Sequence, residues 1–355
     1  MAKNPCATCV PAACFKESQT LQLKHASSRF IRAGTAATPR IDISSVPNPV
    51  LELDFPDPGL IKIGDTYYAF ATNSQSAHVP AARSQDLIHW EMLPDALPVL
   101  PVWAAQNFRW TWAPAVTATP EGYAMFFTTR CRRKATQCIG IAMSDKPEGP
   151  YEPLNAKPAL CNVEIGGSID PSVFVDDDGT RYMLWKTDGN AIGVPTWICI
   201  QRIASDGLTL VGSPVRLFAN DLPWEGKLIE GPTLWKHNGK YYLFYSANHF
   251  TGSRYAIGYA VADDVWGPYK KSAAPLWSTN RARAVVGPGG QDIVSGLDGV
   301  PWILYHAWTP GGHRGLNAGR LSWQEHRPRP ERRSKGIKYE LDPDLDSADA
   351  SSALV

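Results

Sequence analysis

The sequence predicts an all-β fold, a five-bladed β-propeller with four-stranded antiparallel blades. Three observations predict it. One short pattern occurs five times: glycine beside polar residues, then an aromatic, then a run of β-formers. It reads GDTYYAFAT from Gly64, EGYAMFFTT from Glu121, DGTRYMLWKT from Asp178, NGKYYLFYSA from Asn238 and DGVPWILYHA from Asp298. Its glycines, Gly64, Gly122, Gly179, Gly239 and Gly299, recur every 57–60 residues, the signature of an array of equivalent sheets. Second, a proline precedes each copy: Pro58, Pro114, Pro171, Pro232 and Pro288. Third, no long window shows helical periodicity, so strands carry the fold.

Each copy supplies one blade. The runs on either side of GDT, DGT, NGK and DGV form a hairpin, with Gly, Asn or Asp taking the positive φ of a tight turn. A second pair of strands follows in VPAARSQDLIHW, IGIAMSDKPEGPY, IQRIASDGL, AIGYAVADDVWGPY and AGRLSWQEH. The blades then span about 50–97, 110–156, 167–219, 228–274 and 284–326. Connections 98–111, with Trp103, Phe108 and Trp110, and 219–229, with Trp224, are expected at one rim, where loops shape a pocket. Asp176, Asp177 and Asp178 precede a turn glycine and read as a solvated hairpin tip, since the spacing of a cation-binding loop is missing.

One propeller of 48–326 accounts for most of the 355 residues. Residues 1–47 read as a disordered leader. They show no signal peptide, lacking a basic start, an apolar run and a small-residue cleavage site. From about Arg327 a basic and then acidic tail, 327–355, is poor in apolar residues and is expected to be disordered. The formal net charge of +1 excludes a global field that would recruit nucleic acid or membrane. No stretch of about 20 apolar residues is present to span a bilayer. Cys6 and Cys9 form CATC, but no second ligand pair follows, so zinc is not predicted. Cys131, Cys138 and Cys161 are close enough in sequence for a disulfide, and equally fit as free small apolar residues. Thirteen Trp and thirteen Tyr serve a propeller core and also suit sugar stacking.

Equivalent positions on inner strands converge on one channel. Ahead of the five prolines stand Asp57, Ala113, Asp170, Gly231 (after Glu230) and Gly287. Three acids in register, Asp57, Asp170 and Glu230, therefore meet. Hydrolysis of a glycosidic bond needs two carboxyl groups in different protonation states, one to protonate the leaving oxygen and one to activate water or attack the sugar. A third acid keeps the donor protonated by like-charge repulsion.

The segments LDFPDPGLIKIGDTYYAFAT, WTWAPAV, GGSIDPSVFVDDDGTRYMLWKTDGN and IEGPTLWKHNGKYYLFYSA resemble glycoside hydrolase family 43 over about residues 48–325. The closest likeness is to members acting on arabinan side chains and arabino-oligosaccharides. The resemblance implies a five-bladed propeller and an inverting mechanism. It implies that Asp57 is the general base, that Asp170 orients the acid and tunes its pKa, and that Glu230 is the general acid. An inverting pair stands roughly 6.5–9.5 Å apart. The substrate is expected to be a plant cell-wall polysaccharide or oligosaccharide, the chain a monomer, and no cofactor or metal is called for. Members are generally secreted, which contrasts with the missing signal. Phe55 beside the base and Trp112 in WAP are expected to stack on the sugar, and Arg314 to anchor a hydroxyl. Asp54 reads as a turn or capping residue.

The pattern departs from the family in two places. Ala115 stands where an acid usually follows WAP, and Gly290 stands where GPGH usually has histidine, near a calcium or water site. His306 in LYHAW reads as a core residue. TTRCRRKATQC, from Thr128, is unusually basic for a rim strand and loop.

The leading expectation is thus an exo-acting α-L-arabinofuranosidase, with endo-arabinanase and β-xylosidase as alternatives in the same family. A retaining fructosidase would need an Asn-Asp-Pro-Asn-Gly nucleophile segment, where this chain has FPDPG. A sugar-binding propeller without catalysis is the alternative of another class, and three acids in register argue against it.

Overall fold

The chain folds as five four-stranded antiparallel meanders; the computed structural model describes residues 46–330 apart from 75 and 107–109. Blade 1 contains β1 (Gly59–Ile63), β2 (Thr66–Phe70), β3 (Ala81–Ser84) and β4 (Glu91–Leu93). Blade 2 contains β5 (Trp112–Thr119), β6 (Gly122–Cys131), β7 (Thr136–Ser144) and β8 (Glu152–Pro153). Blade 3 contains β9 (Ser168–Val175), β10 (Arg181–Thr187), β11 (Trp197–Ile203) and β12 (Leu210–Ala219). Blade 4 contains β13 (Ile229–His237), β14 (Lys240–Ala247), β15 (Ala256–Ala262) and β16 (Lys270–Lys271). Blade 5 contains β17 (Gly289–Ser295), β18 (Pro301–Trp308), β19 (Arg314–Gln324) and β20 (Arg327–Pro330). The five-bladed, four-stranded fold expected from the repeat is the fold observed. No helix among the described residues is long and apolar enough to cross a membrane.

The turns follow from sequence. β13 and β14 are joined by Asn238 and Gly239, at φ 48° and 73°. Two positive φ values in a two-residue loop make the turn whose twist matches a hairpin, and Asn-Gly is its favoured pair.

The second strand of each blade is a nearly continuous apolar run because both of its faces are covered. Met125 and Phe127 of β6 pack toward blade 1 with Phe70 and Val79. Ala124 and Phe126, of opposite parity, pack toward blade 3 with Met183 and Trp185. The same division places Leu243 and Tyr245 against blade 3, and Tyr242 and Phe244 against blade 5. Trp302 and Leu304 meet Tyr67 and Ala69 at the last interface. The core is thus five interblade layers, and each large side chain fully buried there contributes about 1.5–3 kcal/mol.

The ring is tied where its ends meet. Val50 donates to the Leu316 carbonyl at 2.8 Å, Leu316 to Leu51 at 3.0 Å, and Phe55 to Arg314 at 3.0 Å. The Asn48 side chain both donates to and accepts from the Ala318 backbone.

Two expectations need correction. The last blade does not stop at 326, because Arg327–Pro330 forms β20 on β19, with Pro328 buried. An outer edge strand tolerates proline, since its N–H need not pair. In blade 5 the residue equivalent to the other inner-strand prolines is Gln291, not Pro288. The channel is lined by Asp57-Pro58-Gly59, Ala113-Pro114-Ala115, Asp170-Pro171-Ser172, Gly231-Pro232-Thr233 and Gly290-Gln291-Asp292. Expectations for the leader, its cysteines, Phe108 and the tail beyond 330 fall outside the described residues.

Candidate active site

Every inner strand enters the channel through the same backbone irregularity. Asp57, Ala113, Asp170, Gly231 and Gly290 all have left-handed φ, at 53°, 42°, 54°, 58° and 58°. In blades 2 to 5 the ladder slips there by one residue: Trp112 pairs Thr128, for example, and Ala115 pairs Phe126. Such a bulge re-aims side chains. Asp57, Ala113 and Asp170 each hold this conformation at a cost of about 1–2 kcal/mol, the kind of strain that collects at functional sites.

The exposed amide of each left-handed residue is satisfied by the preceding blade. Thr72 Oγ1 accepts from Ala113 N at 3.0 Å, and Thr128 Oγ1 from Asp170 N at 3.1 Å. Ser246 Oγ accepts from Gly290 N at 2.8 Å, and His306 Nδ1 from Asp57 N at 3.1 Å. Thr128, Ser246 and His306 lie opposite the bulge on the second strands of their blades, and Thr72 lies just beyond the end of β2. Blade 3 breaks the rule, because Lys186 stands there and an ammonium cannot accept. The Gly231 amide turns instead to Asp170 Oδ2 at 3.0 Å. One substitution in a five-fold pattern therefore gives Asp170 its partner and frees Lys186 for another.

That other partner is Glu230. Lys186, 1 % exposed at its side chain, places Nζ 3.0 Å from Glu230 Oε2 and 3.5 Å from Asp188 Oδ1. Tyr255 OH lies 2.8 Å from Glu230 Oε1. Burial disfavours the Lys186 ammonium, but Glu230, Asp188 and Asp170 outweigh this and raise its pKa.

The carboxyl groups are pushed in opposite directions. Burial raises the Asp57 pKa, but the Arg314 guanidinium, 3.6 Å from Oδ2, and a 2.8 Å hydrogen bond donated by Thr72 Oγ1 help hold it well below the usual range. Asp170 is pushed up to about 8 by burial and by the charge of Glu230. Asp57 is thus kept ionised, while Asp170, beside Glu230, keeps a proton at neutral pH.

His306 Nδ1 is 3.1 Å from Asp57 N and 3.2 Å from Asp57 Oδ1. One proton state cannot accept from the first and donate to the second. Burial lowers the His306 pKa, and the amide hydrogen points at Nδ1. The ring is therefore assigned as neutral with its proton on Nε2. It is fully buried, as expected of a core residue, yet it touches Asp57 and stacks on Tyr255 at 5.6 Å. A Cβ at Gly290 would stand 2.7 Å from the same Nδ1 and 2.4 Å from Asp57 Oδ1. No three His, Cys, Asp or Glu side chains converge as a metal site among the described residues.

Asp57, Asp170 and Tyr255 line one open cavity of about 420 Å³, with Glu230 against Tyr255 and Arg314 against Asp57 at its edge. Trp112 is half-buried, at the register position in blade 2 that Glu230 holds in blade 4. Phe55 is corrected: it is 0 % exposed in the layer between blades 5 and 1, so it offers no ring to a sugar. Asp54 accepts the Arg314 amide at 3.3 Å, a turn role. Lys186, Tyr255 and His306 escaped the sequence reading as site residues. A signal was available for two of them, since Thr72, Thr128, Lys186, Ser246 and His306 are the polar residues that end the five apolar runs.

Known proteins share this architecture. The family model described as Glycosyl hydrolases family 43 matches residues 46–327. A Humicola insolens protein named Xylosidase/arabinosidase 43B is 30% identical over 280 residues, covering 75% of this chain and 49% of that protein. An extracellular endo-alpha-(1->5)-L-arabinanase of Thermotoga petrophila is 29% identical over 240 residues, 58% of this chain and 47% of its own. The chain therefore spans about half the length of these curated relatives. A solved structure described as a thermostable family-43 glycoside hydrolase superposes with a TM-score of 0.74 at 29% identity, covering 83% of this chain and 98% of that one. On fold, channel and family match together, the chain belongs to glycosyl hydrolases family 43.

Proposed function

We propose that the chain is an inverting glycosidase that releases α-L-arabinofuranosyl residues from arabinan or arabino-oligosaccharides. The observation that carries the mechanism is the opposed tuning of two carboxyl groups: Asp57 held ionised, and Asp170 beside Glu230 holding a proton.

In this mechanism Asp57 Oδ accepts a proton from water as the water oxygen bonds to the anomeric carbon. The bond from that carbon to the leaving oxygen breaks, and Glu230 donates its proton to that oxygen. Asp170 keeps a proton beside Glu230 and accepts from the Gly231 amide next to it. Lys186 and Tyr255 fix the Glu230 carboxyl through both oxygens. One step inverts the anomeric centre, and solvent then resets both protons.

Arabinose specificity draws support from the likeness to the Thermotoga petrophila arabinanase. β-Xylosidase is the second reading, favoured by the double name of the Humicola insolens relative. The test is hydrolysis of aryl α-L-arabinofuranoside, aryl β-D-xyloside and linear α-1,5-arabino-oligosaccharides, with products followed by NMR. Arabinose released with inverted configuration supports the proposal. Xylose release alone selects the second reading, and retention at the anomeric carbon rejects the single displacement.

A further inference from the structure

The β6–β7 turn lies on the catalytic end of the propeller. β5 starts in the channel at Trp112 and runs away from it, and β6 returns to end at Cys131. Arg132, Arg133 and Lys134 follow, all exposed. None of the three forms an ion pair among the described residues. The turn is held in place: Arg132 N donates to Trp103 O at 3.1 Å, and Ala135 N to Cys131 O at 2.9 Å. The Cys138–Cys161 disulfide anchors the strand that leaves it.

A line of flat groups joins this turn to the channel. The Arg130 guanidinium lies 4.6 Å from the Trp110 ring centre. Trp110 lies 6.4 Å from Trp112, which occupies the register position of Glu230. Rings of this kind bind the apolar faces of sugars. The turns at the opposite end carry acids and lysines together, Asp177 pairing Lys236 and Asp263 pairing Lys240.

We propose that the β6–β7 turn is a subsite for a hexuronate residue of the substrate. Arg132, Arg133 and Lys134 bind its carboxylate, and Trp110 and Trp112 carry the neutral sugars between it and the cleaved bond. Arginine is suited to this because its planar fork matches a carboxylate. The inference rests on the glycosidase reading, so its test uses binding rather than turnover.

The probes are trigalacturonate, glucuronate-substituted xylotriose and the methyl ester of each, titrated calorimetrically into the Glu230→Gln protein. In at least one pair the acid should bind about tenfold more tightly than its ester, the worth of one charge-assisted contact. That advantage should vanish in Arg132→Ala/Arg133→Ala/Lys134→Ala, whose fold is checked by circular dichroism, and should shrink in 0.5 M salt, about the range where such charges are screened. The pair that responds identifies the source of the hexuronate. Equal affinity for acid and ester in both pairs, or an advantage that survives the triple substitution, overturns the subsite. Failure of the unaltered enzyme on the aryl glycosides, with the acid advantage intact, would remove the catalytic reading alone.

Discussion

Lys186 Nζ stands 3.0 Å from Glu230 Oε2 at a point of the ring where the four other blades place a side chain that accepts an amide. The lysine is buried, and its positive charge opposes the like-charge repulsion between Asp170 and Glu230. Replacing it with Met removes that opposition. The proton on the pair should then be held more firmly, so the alkaline limb of kcat/KM should move up by about one pH unit or more. Loss of one member of a buried ion pair also costs about 3–5 kcal/mol of stability. A Lys186→Met profile with the unaltered limb would show that Lys186 does not set the proton affinity of the pair.

Arg314 governs the other limb. Asp57 works ionised, so the rate falls as pH drops through its pKa, which lies well below the usual range. The plateau should therefore extend below pH 4, under the ordinary carboxylate value of about 3.9. Arg314→Ala leaves the burial and removes the cation, so the acidic limb should rise above pH 4. Rates at pH 4 and pH 6.5 separate this from a simple loss of binding, which would lower both alike.

Substrates with different leaving groups distinguish Glu230 from Asp57. Glu230→Ala should lose most activity on natural oligosaccharides and keep more on aryl glycosides, whose leaving oxygens need less protonation. Asp57→Ala should lose both, because no leaving group replaces the activation of water. A general acid or base contributes about 10²–10⁴-fold, so steady-state rates resolve these patterns. Near-full activity of Glu230→Ala on oligosaccharides would refute its role.

Gly290→Ala probes the contact beside the base. The new Cβ would stand 2.4 Å from Asp57 Oδ1 and 2.9 Å from its Cα, at φ +58°. Asp57 must shift, and a displacement of about 1 Å in a reacting group costs about 100-fold in rate. The strain of an alanine at that φ is only about 1–2 kcal/mol. Activity should therefore fall far more than thermal stability, and a parallel decline of both would contradict this.

Asp292, which lines the same channel, offers a stability test. It accepts from Leu60 N at 2.7 Å and Ile293 N at 2.8 Å, yet burial pushes its pKa from 3.8 up to about 7. The native state keeps a proton that the unfolded chain releases above pH 3.8. Its contribution is therefore lost as pH rises from about 4 to 7. Denaturant titrations at pH 4.5 and 7.5 should show the parent losing stability relative to Asp292→Asn across this window.

The blades were legible because Gly64, Gly122, Gly179, Gly239 and Gly299 mark turns that every blade needs. The three acids were legible because Asp-Pro and Glu-Gly-Pro sit at a fixed place in the repeat. Blade 5 was misaligned by Pro288, since its channel position carries Gly290 followed by Gln291. What counts there is the left-handed φ, which proline itself does not encode. Phe55 was misplaced for a similar reason: standing two residues from Asp57 does not put the two side chains on the same side of the chain when Asp57 has a left-handed φ. Lys186 and His306 act across blades and Tyr255 within blade 4, and although the polar ends of the apolar runs mark Lys186 and His306, their partners emerge only from strand pairing.

The amide of Asp57 is held by His306, so the first blade borrows its fixation from the last. During synthesis, Asp57 is made some 250 residues before His306. Until blade 5 has left the ribosome and closed on blade 1, Asp57, the proposed general base, has neither this acceptor nor the Arg314 cation. Hydrolytic competence is therefore an all-or-none property of the finished ring, and appearance of activity in a translation time course reports the moment of closure.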